Sequence, residues 1–372
     1  MIAESGAGSK GARRSLEQHE RWKEFHDRMS ILIVLPVPSP PAGGNWVFSD
    51  RLRRHLAEVN LHVRVTTLDS VTTEDIEQCD IVHIFNASRT AVPFVEKFGV
   101  PEKPMVITFT GTDVNEEMKR PRERRKIVEV ACRARQLIFL TADALQGFCI
   151  QCPELKNHCV HIPLGIDVPP GRGYDRSRWG WREEEVVFFL PAGLRPVKRP
   201  LYALKPLARL YREGLPVRLC LAGAVFDLDL LRQVETEAEM RPWFQWLGAV
   251  PHREVGDLYR CADVVLNTST SEGLSHALLE AMAAGRAVMA SRVPGNRDLI
   301  RHGEDGLLYE DAEEFLASAR QLALDPEWRE SLGQRAATRV AREFSPVVER
   351  DRYAQLYRRL VLSPCASGQV AP

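Results

Sequence analysis

The sequence predicts an α/β protein made of two doubly wound parallel sheets. Three observations carry that reading. Short apolar runs alternate with amphipathic stretches from Ile31 onward. The alternation breaks once, over the Pro-, Gly- and charge-rich stretch 168–181, and then restarts. The chain has 372 residues, more than one hydrophobic core usually serves, since single cores stop growing near ~250 residues.

The elements follow in order. Residues 1–28 are polar and charged, and Ser15-Leu16-Glu17-Gln18 has capping-box spacing, so a surface helix is expected over 15–28. ILIVLPV (31–37) is a buried-strand pattern, and 46–60 follows with helical spacing of Phe48, Leu52, Leu56 and Val59. HVRVTTL (62–68), DIVHIF (80–85), MVITFTG (105–111) and LIFLTA (137–142) read as further strands. After the linker come VVFFLPAG (186–193), VRLCLAG (217–223), WFQWLG (243–248), DVVLNTS (263–269) and AVMAS (287–291). Strands alternating with helices imply parallel βαβ units covered on both faces. A last helix is expected over 347–362, with Tyr353, Leu356, Tyr357 and Leu360 on one face. The expected division is a 1–28 extension, a domain at 29–170, a hinge at 171–184, a domain at 185–345, the helix at 346–362 and a tail at 363–372.

Composition narrows the function classes. Lys+Arg and Asp+Glu are both 50, so nothing attracts the chain globally to nucleic acid or an anionic membrane. Hydrophobic residues make up 44%, which excludes wholesale disorder. The longest strongly apolar run, 31–37, is far below the ~20 residues that span a bilayer. No apolar segment of signal-peptide type follows the N-terminus, and the 8 Cys read as reduced thiols, so a cytoplasmic protein is expected.

Four constellations can carry chemistry. The first is STSEGLSHALLEAMAAG (269–285), where a strand ends, a polar turn follows and a helix starts near the N-cap Ser275. Glu272 lies in the turn, at the carboxyl end of a parallel strand, where ligands bind in such sheets. Glu280 lies in a helix with almost no polar face, and a carboxylate there needs hydrogen-bond donors such as a ribose diol. The N–H groups of Gly273, Leu274 and Ser275 suit a phosphate or a sugar oxygen. The plainer reading is a surface turn and a Glu paired to an Arg.

The second is Gly193-Leu194-Arg195-Pro196-Val197-Lys198, also at a strand's carboxyl end. Arg195 offers a planar fork and Lys198 a point charge, which together suit a pyrophosphate; the alternative is a solvated basic turn. The third is Gly43-Gly44-Asn45 after the first strand, where paired glycines let a ligand approach the backbone, unless they form only a turn. The fourth is Thr110-Gly111-Thr112-Asp113, in which Asp113 is either a ligand-facing carboxylate or a plain helix N-cap.

On these residues the chain resembles the GT-B glycosyltransferases of family 4. The resemblance rests on Glu272-x7-Glu280 in EGLSHALLEAMAAGRAVMAS, on Pro163-Leu164-Gly165-Ile166-Asp167 and on Gly303-Glu304-Asp305-Gly306-Leu307-Leu308. Residues 325–344 are similar to that family's C-terminal helices, and GTDVNEE, LRPVKRPLY and VPGN to its small glycosyltransferase 1 domain-containing members.

The resemblance implies two Rossmann-like domains facing a cleft. The first would be the acceptor side, the second would bind the donor, and the last helix would return toward the first. It implies hexosyl transfer from a nucleotide diphosphate sugar, most simply a UDP-sugar, with retention at the anomeric carbon. It implies no metal, no cofactor beyond that co-substrate, and an acceptor of unknown type. By carry-over Glu272 would contact donor-sugar hydroxyls and Glu280 the ribose. Arg195 and Lys198 would neutralise the departing diphosphate. Val250 would lie near the base, and the Gly43-Gly44-Asn45 loop would close on phosphate and sugar. Asp113 would take part of an orienting role. The sequence departs from the family at two places. Its Arg and Lys, usually about five apart, are three apart here. Thr110 stands where the family often has His, so no imidazole is available to the donor sugar.

Other signals read as structural. Asp227-Leu228-Asp229 has metal-binding spacing but also caps a helix start. Cys149, Cys152 and Cys159 lack a second pair with zinc-site spacing. RPRERRK (120–126) reads as a solvated helix face, with contact to an acidic acceptor or a peripheral membrane surface as the alternative. His83 reads as a core or cleft residue. Rival functions are a GT-B synthase with a selenium or sulfur acceptor, a non-catalytic nucleotide-sugar binder, and a dinucleotide oxidoreductase. The last lacks Gly-x-Gly-x-x-Gly after its first strand.

Overall fold

Two six-stranded parallel sheets form as the alternation predicts, with helices between successive strands. The computed structural model describes residues 29–37, 44–168, 171 and 173–362. The expected helix at 15–28, Gly43 and the tail at 363–372 lie outside the described residues.

The first sheet comprises β1 (Ser30–Leu35), β2 (His62–Thr67), β3 (Ile81–Phe85), β4 (Met105–Phe109), β5 (Gln136–Phe139) and β6 (Cys159–His161), in the order β2-β1-β3-β4-β5-β6. The second comprises β7 (Val186–Pro191), β8 (Val217–Ala222), β9 (Phe244–Trp246), β10 (Val264–Asn267), β11 (Ala287–Ser291) and β12 (Leu307–Tyr309), in the order β12-β11-β10-β7-β8-β9. Central strands such as β3 and β11 are buried along their whole length, whereas the edge strand β2 is only half-buried. This is why continuous Val/Ile/Leu runs marked the centre of each sheet. The sequence reading missed β6 and β12, three-residue edge strands that, unlike the equally short β9 with its Phe244 and Trp246, lie in no extended aromatic or apolar run.

The chain divides into two compact units. One holds the described residues up to Thr108, Lys126–Leu137 and those from Arg350 onward; the other holds Phe109–Arg125 and Ile138–Glu349.

In the first unit the helix Pro346–Leu362 contributes its C-terminal part from Arg350. Tyr353 and Tyr357 are fully buried there, and the Tyr357 hydroxyl lies 2.7 Å from His83 Nδ1. His83 Nε2 lies 2.7 Å from Thr108 Oγ1. Burial pushes the His83 pKa down to about 3, so the ring is neutral and works as a core connector, in line with its sequence reading.

In the second unit one cluster of apolar side chains spans β7, β8, β10, β11 and β12, including Phe188, Leu219, Leu266, Met289 and Tyr309. The segment expected to be a hinge is anchored to this unit. Arg176 is buried and donates to the Cys261 and Glu185 carbonyls and to Asp263, and the buried Trp181 donates to Gln245 Oε1 at 2.7 Å. Among the described residues no helix is long and apolar enough to cross a membrane.

Candidate active site

Parallel strands aim their carboxyl ends the same way, so the loops after β7 and β10 emerge side by side; β7 and β10 are direct neighbours. The two loops are stapled together. Thr268 Oγ1 donates to the Lys198 carbonyl at 2.6 Å, Thr270 N to the Val197 carbonyl at 2.8 Å, and Arg199 Nε to the Thr268 carbonyl at 2.6 Å. Arg199 holds the left-handed backbone (φ 43°) that turns the loop, and its guanidinium lies over Tyr202.

That stapling brings Lys198 onto Glu272, with Nζ 2.5 Å from Oε1. The same oxygen accepts from Ser269 Oγ at 2.7 Å and Asn267 Nδ2 at 2.9 Å. All three donors fall on Oε1, and Oε2 has no partner among the described residues. Burial pushes the Glu272 carboxyl up, but the Lys198 ammonium and the Ser269 and Asn267 donors outweigh it and hold the group below the usual carboxylate range.

Asn267, at the end of β10, organises the rest. Its Nδ2 also donates to Ser275 Oγ at 3.2 Å, and its Oδ1 accepts from Ser269 N at 3.0 Å and from Asn296 Nδ2 at 3.2 Å. Ser275 caps the helix His276–Ala283 by accepting from Leu278 N, as its sequence position implied. Gly285 follows that helix with φ 71°, a backbone region that suits glycine. Glu280 is buried on the helix and accepts from the Tyr259 hydroxyl at 2.9 Å.

Close backbone approach also shapes the turn. A Cβ on Gly295 would lie 2.5 Å from the Glu272 carbonyl oxygen and 2.7 Å from the Gly273 carbonyl carbon. These are main-chain atoms that cannot rotate away. Gly295→Ala is therefore expected to displace the Glu272 turn and lower donor turnover about tenfold or more while the fold persists. Steady-state kinetics beside circular dichroism checks this.

The remaining sequence candidates are placed as follows. Arg195 is exposed and lies over the half-exposed Phe226 ring, 4.9 Å from its centroid, in ion pair with no described residue. Val250 is half-buried after β9, just before the helix His252–Cys261. Asp113 is fully buried, and its Oδ1 accepts from Thr110 N, Gly111 N and Val114 N, which closes its own turn; Gly111, not Asp113, caps the short helix Thr112–Asn115. Two residues on, and within the same unit, Asn115 Nδ2 donates to the Glu272 carbonyl at 3.0 Å. Gly44 and Asn45 open the helix Gly44–Ala57 of the first unit. Asp227 caps the helix Leu228–Met240 by accepting from Asp229 N and Leu230 N.

Asn267, Ser269, Asn296, Arg199 and Tyr259 were not singled out from sequence. Arg199 was the most accessible of them, since it directly follows Lys198 in RPVKR. The others are neutral polar residues in strand ends and helices, and their roles exist only through contacts.

The comparisons agree with this architecture. Residues 172–339 match the family model described as glycosyl transferases group 1. The chain is 29% identical over 265 residues to Glycosyltransferase 1 domain-containing protein 1 of Xenopus tropicalis, covering 69% of this chain and 76% of that one. It is 30% identical over 315 residues to a D-inositol 3-phosphate glycosyltransferase of Kineococcus radiotolerans, covering 77% and 70%. Among solved structures, Anabaena HepE in complex with UDP and glucose superposes with a TM-score of 0.72 at 18% identity, covering 88% of this chain and 99% of that one. Sucrose-phosphate synthase of Thermosynechococcus elongatus gives 0.73 at 17%, covering 89% and 99%. The fold is that of the GT-B glycosyltransferases. The chain belongs to the glycosyl transferases group 1 family.

Proposed function

We propose that this glycosyltransferase moves a hexosyl group from a UDP-sugar to an acceptor, with retention at the anomeric carbon and without a metal ion. The observation that carries the reading is Glu272, whose Oε1 is held by three donors while Oε2 is left to accept from a sugar hydroxyl. The UDP and glucose bound to HepE are the precedent for the donor.

In this reading Oε2 of Glu272 takes the sugar hydroxyls, Glu280 takes the ribose, and the backbone near Val250 meets the base. The diphosphate lies at the N-terminus of the helix His276–Ala283, where Gly273, Leu274 and Ser275 present N–H groups. Lys198 supplies positive charge to it, and Arg195 adds to that charge once its guanidinium leaves the Phe226 ring on which it rests here. As the anomeric bond breaks, negative charge builds on the leaving diphosphate and positive charge on the sugar. Fixed cations beside the first are worth more at the transition state than in the ground state, so they lower the barrier and not only KM. Two cations in that role remove the need for a divalent ion. Oxygen of the departing phosphate is then the base nearest an acceptor that attacks from the same face, which gives retention.

A thermal-shift screen of UDP-, GDP- and ADP-sugars with and without EDTA tests the reading. A UDP-sugar is expected to raise Tm by mass action, equally in both conditions. A shift confined to another nucleotide, or lost in EDTA, overturns the donor or the metal-free mechanism respectively.

A further inference from the structure

We infer that Tyr259 is a positioning residue that orients Glu280 toward the donor's ribose and so sets the site's preference for ribonucleotides. The inference rests on the donor reading above. Tyr259 lies on the helix His252–Cys261, 21 residues before Glu280 in sequence, and is 1% exposed. Its ring meets Phe189 of β7 edge to face, with centroids 5.7 Å apart. Phe189 is itself fully buried, so the phenol is held rigidly.

The hydroxyl donates to Glu280 Oε2 at 2.9 Å, and both partners are buried. A carboxylate is an acceptor only and turns easily about its last torsion. One oxygen held by a rigid donor defines the plane of the whole group. A vicinal diol brings two donors that need acceptors in a fixed plane. Burial first, and then the Glu280 charge, raise the Tyr259 pKa well above its ordinary value, so the phenol stays a donor at any working pH.

A tyrosine that only filled space would be replaced by phenylalanine without chemical consequence, because the change removes one oxygen atom. A positioning tyrosine would not. Titration calorimetry with UDP and 2′-deoxy-UDP separates the two. Wild-type protein is expected to prefer UDP by on the order of 10- to 100-fold, the span of a hydrogen bond to a charged group. In Tyr259→Phe the affinity for UDP falls toward that for 2′-deoxy-UDP, the latter barely changes, and the preference shrinks about tenfold. In turnover the same variant raises KM for the donor more than it lowers kcat. Tyr259→Met, which like phenylalanine has no hydroxyl to donate, loses the preference as well and gives the same readout if the Phe variant fails to accumulate. A preference retained in full by Tyr259→Phe, or by Tyr259→Met, overturns the inference and leaves the donor reading intact. A wild-type protein indifferent to the 2′-hydroxyl removes Glu280 from the ribose and overturns both.

Discussion

Lys198→Ala is expected to lower kcat/KM by on the order of 10²-fold or more. Lys198 has two tasks in the proposed reading. It supplies positive charge to the diphosphate, and it is the charged partner of Glu272 at 2.5 Å. Removing it withdraws charge from the leaving group and leaves a nearly buried carboxylate with only Ser269 and Asn267 as donors. The two tasks separate in the pH profile. In the wild type Glu272 titrates below the usual carboxylate range, so it is ionised throughout the neutral range. Without the ammonium, burial is opposed by neutral donors alone and the carboxyl titrates at higher pH. The acid limb of the residual kcat/KM is therefore expected to move up, because that limb reports groups of the free enzyme. A profile lowered uniformly, with its acid limb in place, assigns the whole loss to the diphosphate. An unchanged rate removes Lys198 from the mechanism.

Legibility in the sequence followed the physics of each signal. Buried parallel strands announce themselves as apolar runs, the half-buried β2 as an alternation and the short edge β9 by its aromatic residues, so ten of the strands were readable; the short edges β6 and β12 carry no such mark. Glu272 and Lys198 were singled out because each follows a strand at its carboxyl end, where ligands bind in such sheets, and the stapling by Thr268 and Thr270 brings the two side chains together. Arg195 was read with Lys198 as a pair, yet it rests on Phe226, because a loop's backbone path decides which way an exposed side chain lies. Asp113 was read as a cap or a ligand-facing carboxylate, and its oxygens close the turn that precedes Asn115. Tyr259 was silent. In HREVGDLYRC it looks like one apolar position of an amphipathic helix, and nothing local marks a hydroxyl that meets a residue 21 positions away.

The segment after the first sheet was expected to be a hinge, and a large stability effect is expected there. Arg176→Ala is expected to destabilise the second unit by about 3 kcal/mol, the lower end of what breaking a buried ion pair costs. Its side chain is 6% exposed and donates to the Cys261 carbonyl at 3.0 Å, the Glu185 carbonyl at 2.9 Å and Asp263 Oδ2 at 2.6 Å. Alanine leaves these groups, and the Arg182 and Glu183 carbonyls at 3.3 Å, without that donor. The lower end applies because Asp263 keeps the Val187 N–H at 2.8 Å and Arg329 at 3.6 Å. Urea unfolding followed by tryptophan fluorescence reads the change, since the buried Trp181 of the same segment reports its release. Arg178→Ala is the control. It pairs with Glu254, which is 23% exposed, and with Asp257, which is 3% exposed but keeps the Gly173 N–H at 3.2 Å, so a smaller loss of about 1–2 kcal/mol is expected. Lysine at 176 keeps the charge but not the planar fork that serves several carbonyls and a carboxylate at once, so Arg176→Lys falls between the wild type and Arg176→Ala. An Arg176→Lys variant as stable as the wild type would mean that charge alone, and not the fork, holds the segment in place, whereas one no more stable than Arg176→Ala assigns the whole effect to the fork.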